Sequence, residues 1–162
     1  MFFCRVFEVR VVSSFVQLDI VDNVRLFGLD ALQHLRSLLL RETEADLYRP
    51  SSIDDQLSGL LRLTRLQVDG DECWIDGGEL LARRSLTSLV SLHMRFTDVH
   101  AAVLSSFPFL NQLMCATLFL PENNSVVCVP DLRDIHMDML DTVDDAVPKA
   151  LSRTFPGLTR LV

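Results

Sequence analysis

The sequence predicts an α/β fold in which short parallel strands stack into a solenoid, with the sheet on the concave face and helices and irregular loops on the convex face. One observation is a recurring phrase, Leu-x-x-Leu-x-x-Leu-x-apolar, of which Leu60-Leu63-Leu66-Val68 is a clear copy. The other is its spacing, since successive copies start 20 to 28 residues apart, at Val12, Leu32, Leu60, Leu86, Phe107, Val129 and Phe155. A short strand with one apolar face cannot bury that face alone, so the copies are expected to stack.

The last two apolar positions of each copy mark its strand. Alternation of side chains places Leu66 and Val68 on the buried face. Arg65, Gln67 and Asp69 then lie on the outward face. The leading leucine of each phrase is expected to cover the neighbouring layer from the turn before the strand.

The same alternation in every copy predicts three columns of outward side chains across the concave face. The central column is Asp19, Leu39, Gln67, His93, Met114, His136 and Val162. The column before it is Gln17, Ser37, Arg65, Ser91, Gln112, Asp134 and Arg160, and the column after it is Val21, Arg41, Asp69, Arg95, Ala116 and Asp138. A phase error of one residue would instead bury apolar members such as Leu39 and Met114.

Extended concave surfaces are where repeat proteins usually hold their partners. We predict that a protein partner contacts a patch made of Arg41, Gln67, Asp69, His93, Arg95, Met114, His136 and Asp138. Arg41, Asp69 and Arg95 are lateral neighbours, about 4.8 Å apart. They form either a solvated ladder of charges or an Arg-edged patch that accepts an acidic partner segment. Candidate apolar anchors on or beside this face are Leu39, Phe96, Met114 and Met139.

Several connectors between the strands carry helical spacing. Val143, Ala146, Val147, Ala150 and Leu151 form an apolar stripe at helical spacing, with Asp141 or Thr142 available as a cap. Alternatively the helix begins only near Val147, with Pro148 in its first turn, where proline is tolerated. Asp98 precedes a second short helix that includes Val99, Ala102 and Val103. Two more helices are expected after Ser51-Ser52 and after Gly77-Gly78, and a loop is expected from Pro121 to Pro130.

The phrase and its period resemble the leucine-rich repeat family, over nearly the whole chain. The resemblance implies a single domain over residues 1–162, with about six to seven irregular repeats. The longer helical connectors are similar to the ribonuclease-inhibitor-like and F-box-associated types of repeat. The asparagine that normally follows the strand is present only as Asn23; other copies carry residues such as Thr43, Asp71 and Thr97, so irregular turns are expected.

The resemblance implies a protein–protein interaction module. The F-box similarity further implies the target-recognition part of a ubiquitin-ligase adaptor, although the chain lacks the F-box helical segment. The alternative is a structural or orphan repeat fragment without independent activity. The chain stops at Val162, inside a strand phrase and without a polar cap, so we expect a fragment of a longer array that self-associates through open solenoid ends.

The charge and the hydropathy of the chain argue against some classes of partner and indicate where in the cell the protein is found. The formal net charge is −7, which argues against nucleic acid and membrane surfaces as partners, because both require a basic face. No stretch approaches the length of an uncharged membrane-spanning helix. Arg5, Glu8 and Arg10 interrupt the apolar start, which spoils a signal-peptide core. The chain is therefore expected to be intracellular, either cytoplasmic or nuclear.

No catalytic motif is present in the sequence, and we expect neither an enzyme nor a cofactor. Asp134, His136 and Asp138 alternate along one strand face, but residues two apart on a strand diverge, so we expect no metal site. The four cysteines have no Cys-x-x-Cys spacing. Cys115 occupies an inward repeat position and is expected to behave as a small buried hydrophobe.

Overall fold

The strands form one parallel sheet in a computed structural model that describes residues 17–21, 32–41, 57, 59–69, 86–121, 127–141 and 147–162. In chain order the elements are β1 (Gln17–Val21), β2 (Ser37–Arg41), β3 (Arg65–Asp69), β4 (Ser91–Met94), β5 (Val99–His100), α1 (Ala101–Leu104), β6 (Gln112–Phe119), β7 (Asp134–Asp141), α2 (Val147–Thr154) and β8 (Arg160–Leu161). The strand order is β1-β2-β3-β4-β6-β7-β8, and β5 also pairs with β6. This parallel solenoid confirms the predicted fold class.

The strands pair in the register that the repeat phrase predicts. The first column is aligned throughout, with Gln17, Ser37, Arg65, Ser91, Gln112, Asp134 and Arg160 paired in sequence. The second column is aligned from Asp19 to His136. Because Leu39 and Met114 are half-buried on the outward side, a one-residue slip is excluded.

The apolar positions of the phrase form the core. The inward strand residues Leu38, Leu66, Leu92, Leu113 and Ile135 are all buried. The leading leucines of the turns, among them Leu60 and Leu86, are buried as well, which confirms that they close the layer beside them. The inward thiol position is also confirmed, because Cys115 lies in the same core.

The turns before β2, β3, β4, β6, β7 and β8 are closed by the same backbone hydrogen bond. The N–H of the second apolar residue of the phrase donates to the carbonyl of the first, as from Leu63 to Leu60 and from Leu89 to Leu86. The same bond recurs at Leu35, Leu110, Leu132 and Leu158. The bond folds the chain back so that both leucines enter the core.

Adjacent repeats are joined just before each strand by one carbonyl that accepts two hydrogen bonds. The carbonyl of Thr64 accepts from the N–H groups of Val90 and Ser91, at 2.8 and 3.0 Å. The carbonyls of Arg36, Val90, Asn111 and Arg133 accept in the same way from the next repeat. Thr64 and Thr159 add a hydroxyl donor to this carbonyl in the preceding repeat.

A bulge separates β4 from β5, which both pair with β6. Met94 pairs with Cys115, and Val99 pairs with Leu118, so residues 95–98 lie opposite only two residues of β6. The N–H of Thr97 donates to the Met94 carbonyl, and the Thr97 carbonyl accepts from Ala116. The extra residues push the chain out of the strand line. Arg95 therefore leaves the third column, in contrast to the sequence prediction.

The connectors show one confirmed helix and one corrected helix. Helix α2 spans Val147–Thr154 with Pro148 at its second position, as predicted. Helix α1 begins only at Ala101, because Val99 and His100 pair with β6, and its N-cap residue is His100 rather than Asp98. Of the helix predicted after Ser51-Ser52 only Leu57 is described, as a buried helical residue, and the helix predicted after Gly77-Gly78 lies outside the described residues. Neither described helix is long and apolar enough to cross a membrane.

Two neighbouring turns approach each other closely at Gly157. A Cβ atom there would overlap the carbonyl oxygen of Pro130 in the preceding repeat. Glycine lets the two backbones come together without a shift. The equivalent position of the preceding turn is the exposed Asp131, where a side chain is accommodated.

Replacing a central inward leucine with a charge is expected to abolish cooperative unfolding. Leu92→Asp or Leu66→Asp would place an unpaired carboxylate in a dry core, at a cost of about 4 kcal/mol or more. Arg65→Asp, at an exposed outward position next to Leu66, serves as control and should unfold close to wild type. Urea unfolding followed by circular dichroism measures this. Near-wild-type stability of both leucine variants would refute the register.

Adding one methyl group at Gly157 is expected to destabilise the fold. Gly157→Ala forces the turn away from Pro130 and should cost about 1–3 kcal/mol. The control is Asp131→Ala, which truncates an exposed side chain at the same place of the preceding turn. The free energy of unfolding of each variant is compared with that of wild type. An unchanged value for Gly157→Ala would contradict the close approach of the two turns.

Candidate functional site

The concave face carries a shallow depression where β4, β6, β7 and β8 lie side by side. Its volume is about 230 Å³. The side chains of the first two columns line it, namely Ser91, His93, Gln112, Met114, Asp134, His136, Arg160 and Val162, over a floor of Leu92, Leu113 and Ile135. The depression exists because the outward residues here differ in length, from Ser91 to Arg160, over a regular parallel sheet.

The centre of the depression is Met114, with a histidine on each neighbouring strand. His93 of β4 pairs with Met114 of β6, and Met114 pairs with His136 of β7. His93 and Met114 are half-buried, whereas His136 is exposed. Val162 follows β8 and exchanges backbone hydrogen bonds with Ile135 and Met137, which places it beside His136.

The environment of His93 favours its neutral form. Burial lowers the pKa of the imidazole, and the neighbouring charges of His136 and Arg95 lower it further, while Asp69 opposes them. Its Nε2 atom is buried, and in the part of the chain that the structure describes no group hydrogen-bonds to it. Protonation would add a charge at this poorly solvated position.

Two opposite charges stand side by side at one end of the depression. Asp134 of β7 pairs directly with Arg160 of β8, and Gln112 is the neighbour of Asp134 on the other side. Asp134 is half-buried, and Arg160 is exposed. Within the described residues, no ion pair joins the two side chains, so both remain open towards the depression.

The rest of the predicted patch surrounds the depression without lining it. Gln67 donates a hydrogen bond to Asp69 Oδ2 at 2.8 Å, which gives this carboxylate a partner along its own strand. Arg95 stacks its guanidinium on Phe96, with 5.5 Å from Cζ to the ring centroid. Asp138 is exposed on β7. Arg41 pairs with Asp69 in the sheet, and its side chain lies outside the described part.

Three of the eight predicted residues therefore meet in the depression, which are His93, Met114 and His136. The predicted patch omitted Ser91, Gln112, Asp134, Arg160 and Val162. All five belong to the first two columns of the repeat register. Selecting laterally adjacent positions of these two columns would have found them. The predicted alignment of Arg95 with Asp69 is wrong because the bulge displaces Arg95.

No group of three or more metal-ligating side chains converges among the residues that the structure describes. The two described thiols differ in environment. Burial raises the pKa of Cys115 to about 12, with Asp98 and Asp138 adding to the effect, whereas Cys128 is exposed. Cys115 is thus kept as an uncharged core side chain.

Acidification is expected to weaken the fold through His93. Its folded pKa lies below the ordinary value of 6.5, so the unfolded chain binds more protons in the window just below that pH. The contribution of neutral His93 to the free energy of unfolding is complete above pH 6.5, and it is lost as the pH falls through this window. The free energy of unfolding in urea should therefore fall more for wild type than for His93→Gln when the pH is lowered from 7 to well below 6.5.

The exposed His100, which stacks on Phe119 at 4.7 Å between ring centroids, provides the matched control. His100→Gln should keep the wild-type dependence on pH. An equal fall in stability for wild type and His93→Gln would contradict the assignment to His93, and a titration of its imidazole by NMR measures the pKa directly.

No protein-family model matches the sequence, and no curated protein matches it. Among solved structures, the fold is similar to that of internalin C2 from Listeria monocytogenes, a leucine-rich repeat protein, with a TM-score of 0.52 at 14% sequence identity. The match covers 91% of this chain and 73% of the internalin chain. The similarity establishes the leucine-rich repeat fold of this chain.

Proposed function

We propose that the chain is a protein–protein interaction module that holds a partner on its concave face, with the depression as the centre of contact. The observation that carries this proposal is the continuous register of the outward columns. Because the inward side chains are used in the core, the outward ones are free to present one extended surface. Solenoids use such surfaces for binding.

The chemistry of the face supports the proposal. Met114 is a half-buried, flexible apolar side chain at the middle, and polar side chains surround it. Protein interfaces commonly have this arrangement, with an apolar centre inside a polar rim, and methionine and arginine are enriched in them. The exposed Arg95 and Phe96 on the bulge extend the face at one side. A binding role, rather than an enzymatic one, is part of this proposal.

The predicted patch of Arg41, Gln67, Asp69, His93, Arg95, Met114, His136 and Asp138 is kept in the proposal as the wider contact area. Its centre shifts towards β7 and β8, because the depression includes Asp134 and Arg160. The partner is a protein of unknown identity. Self-association of the chain stays a separate prediction, and the exposed apolar side chains of Leu161 and Val162 are a candidate contact for it.

The narrower assignments rest on the sequence alone: the repeat type and the adaptor role on the resemblance, and the location on the charged residues within the apolar start. These are the ribonuclease-inhibitor-like or F-box-associated type of repeat, a part in a ubiquitin-ligase adaptor, and an intracellular location. Co-purification of a ubiquitin-ligase scaffold with the tagged chain is the direct test of the adaptor role.

A charge placed at the centre of the depression is expected to abolish binding without unfolding the chain. Partners are selected with the full chain from a displayed cDNA library, and their affinity is measured with purified proteins. Met114→Arg should weaken binding at least about tenfold, as expected for a central contact. Lys149→Glu, on an exposed position of α2, is the matched control and should bind as wild type does.

The circular dichroism spectrum and the melting temperature of both variants should remain close to wild type. Equal binding by Met114→Arg and wild type would remove the depression from the interface. Loss of binding in Lys149→Glu alone would place the partner on the convex side. Arg41→Glu combined with Arg95→Glu then measures how far the contact extends across the wider patch.

A further inference from the structure

We propose that the depression receives one tyrosine side chain of the partner, with its ring on Met114 and Val162 and its hydroxyl between the Asp134 carboxylate and the Arg160 guanidinium. This inference rests on the proposed function, because it names the anchor that a protein partner would insert. Four properties of the depression lead to this inference. They are its size, its two adjacent opposite charges, its apolar side and the lowered pKa of His93.

The volume selects a single large side chain. The volume of the depression is about 230 Å³. Pockets that enclose drug-sized ligands are larger, at about 300–1,000 Å³. One aromatic side chain of a partner fits this space, and aromatic anchors are the residues that most often dominate protein interfaces.

The two opposite charges favour an occupant with a neutral polar group that both donates and accepts a hydrogen bond. Asp134 and Arg160 are lateral neighbours, about 4.8 Å apart at the backbone, and no ion pair joins them within the described residues. A basic occupant would be attracted by Asp134 and repelled by Arg160. An acidic occupant would be attracted by Arg160 and repelled by Asp134. The tyrosine hydroxyl donates to a carboxylate and accepts from a guanidinium at once. Tryptophan donates only, and phenylalanine does neither.

The apolar side of the depression accommodates the ring. The Met114 thioether adapts its shape and makes favourable contacts with aromatic rings. Val162 is 53% exposed and stands beside His136, so a ring placed between Met114 and Val162 would cover both. Burial of aromatic surface on these two side chains would supply the main driving force.

His93 adds no positive charge to the depression at neutral pH. Its lowered pKa keeps the imidazole uncharged there. A phosphorylated or carboxylate-bearing anchor would meet the exposed Arg160 as its fixed positive charge, with the exposed imidazole of His136 also in the lining, and the adjacent Asp134 would repel it. The neutral phenol is the occupant that these groups fit best.

A titration with amino-acid amides tests the assignment on the full chain. N-acetyl-tyrosinamide, N-acetyl-phenylalaninamide and N-acetyl-tryptophanamide are added to protein labelled with ¹³C at the methionine methyl groups. The Met114 signal is assigned with Met114→Leu. We expect saturable shifts of this signal with the tyrosine amide, and an affinity about three- to tenfold lower for the phenylalanine amide, because it lacks the hydrogen bonds of the hydroxyl.

Variants separate recognition of the hydroxyl from contact with the ring. Asp134→Asn with Arg160→Gln should reduce the affinity for the tyrosine amide to that for the phenylalanine amide, and it should leave the latter unchanged. Asp131→Asn, at an exposed turn position outside both the depression and the wider patch, is the matched control and should bind as wild type does. Circular dichroism confirms that each variant is folded.

Equal affinity for the tyrosine and phenylalanine amides would overturn recognition of the hydroxyl, and no shift of the Met114 signal with either would overturn the anchor altogether. These failures are distinct from failure of the proposed function. If a selected partner still loses affinity with Met114→Arg but keeps it when each of its tyrosines is changed to phenylalanine, the module binds at the depression by another anchor. If no partner depends on Met114, both proposals fall.

Discussion

The shared backbone carbonyl before each strand is the interaction on which the rest of this structure depends. A carbonyl such as that of Thr64 accepts N–H groups from two consecutive residues of the next repeat, so the next strand enters the sheet at only one position. A shift by one residue would lose these bonds and would also turn every leucine to the outside. The columns of outward side chains, and the depression among them, exist because this position is fixed repeat after repeat.

The depression contains polar side chains that lack, among the described residues, the partners that such groups often have. Asp134 and Arg160 lie next to each other without forming an ion pair, and His93 has a buried nitrogen without a protein partner in the described part of the chain. A buried nitrogen without a hydrogen-bond partner reduces stability, whereas Asp134 and Arg160 remain accessible to solvent. Their concentration on one face, over a core in which the leucines are fully packed, separates the residues that fold the chain from those that face a partner.

The sequence alone was sufficient for the fold class, the phase of the strands and the lateral order of the side chains. A period of two along the strand and a repeat of 20 to 28 residues define these features without knowledge of the connectors. The bulge at residues 95–98 could not be predicted, because Arg95, Phe96, Thr97 and Asp98 include neither glycine nor proline and fit a continuing strand. The depression was only partly predicted, since its shape depends on which side chains of different length become neighbours across β4, β6, β7 and β8.

The same shared carbonyls also decouple the length of a connector from the geometry of the sheet. Arg36 and Thr64 are 28 residues apart, Arg133 and Thr159 are 26 apart, and Val90 and Asn111 are 21 apart, yet each pair makes the same contact. Residues can therefore be inserted into or deleted from the convex side without moving the concave columns. A gene encoding such a chain can change its outer surface, and with it solubility or a second contact, while the inner surface keeps its spacing.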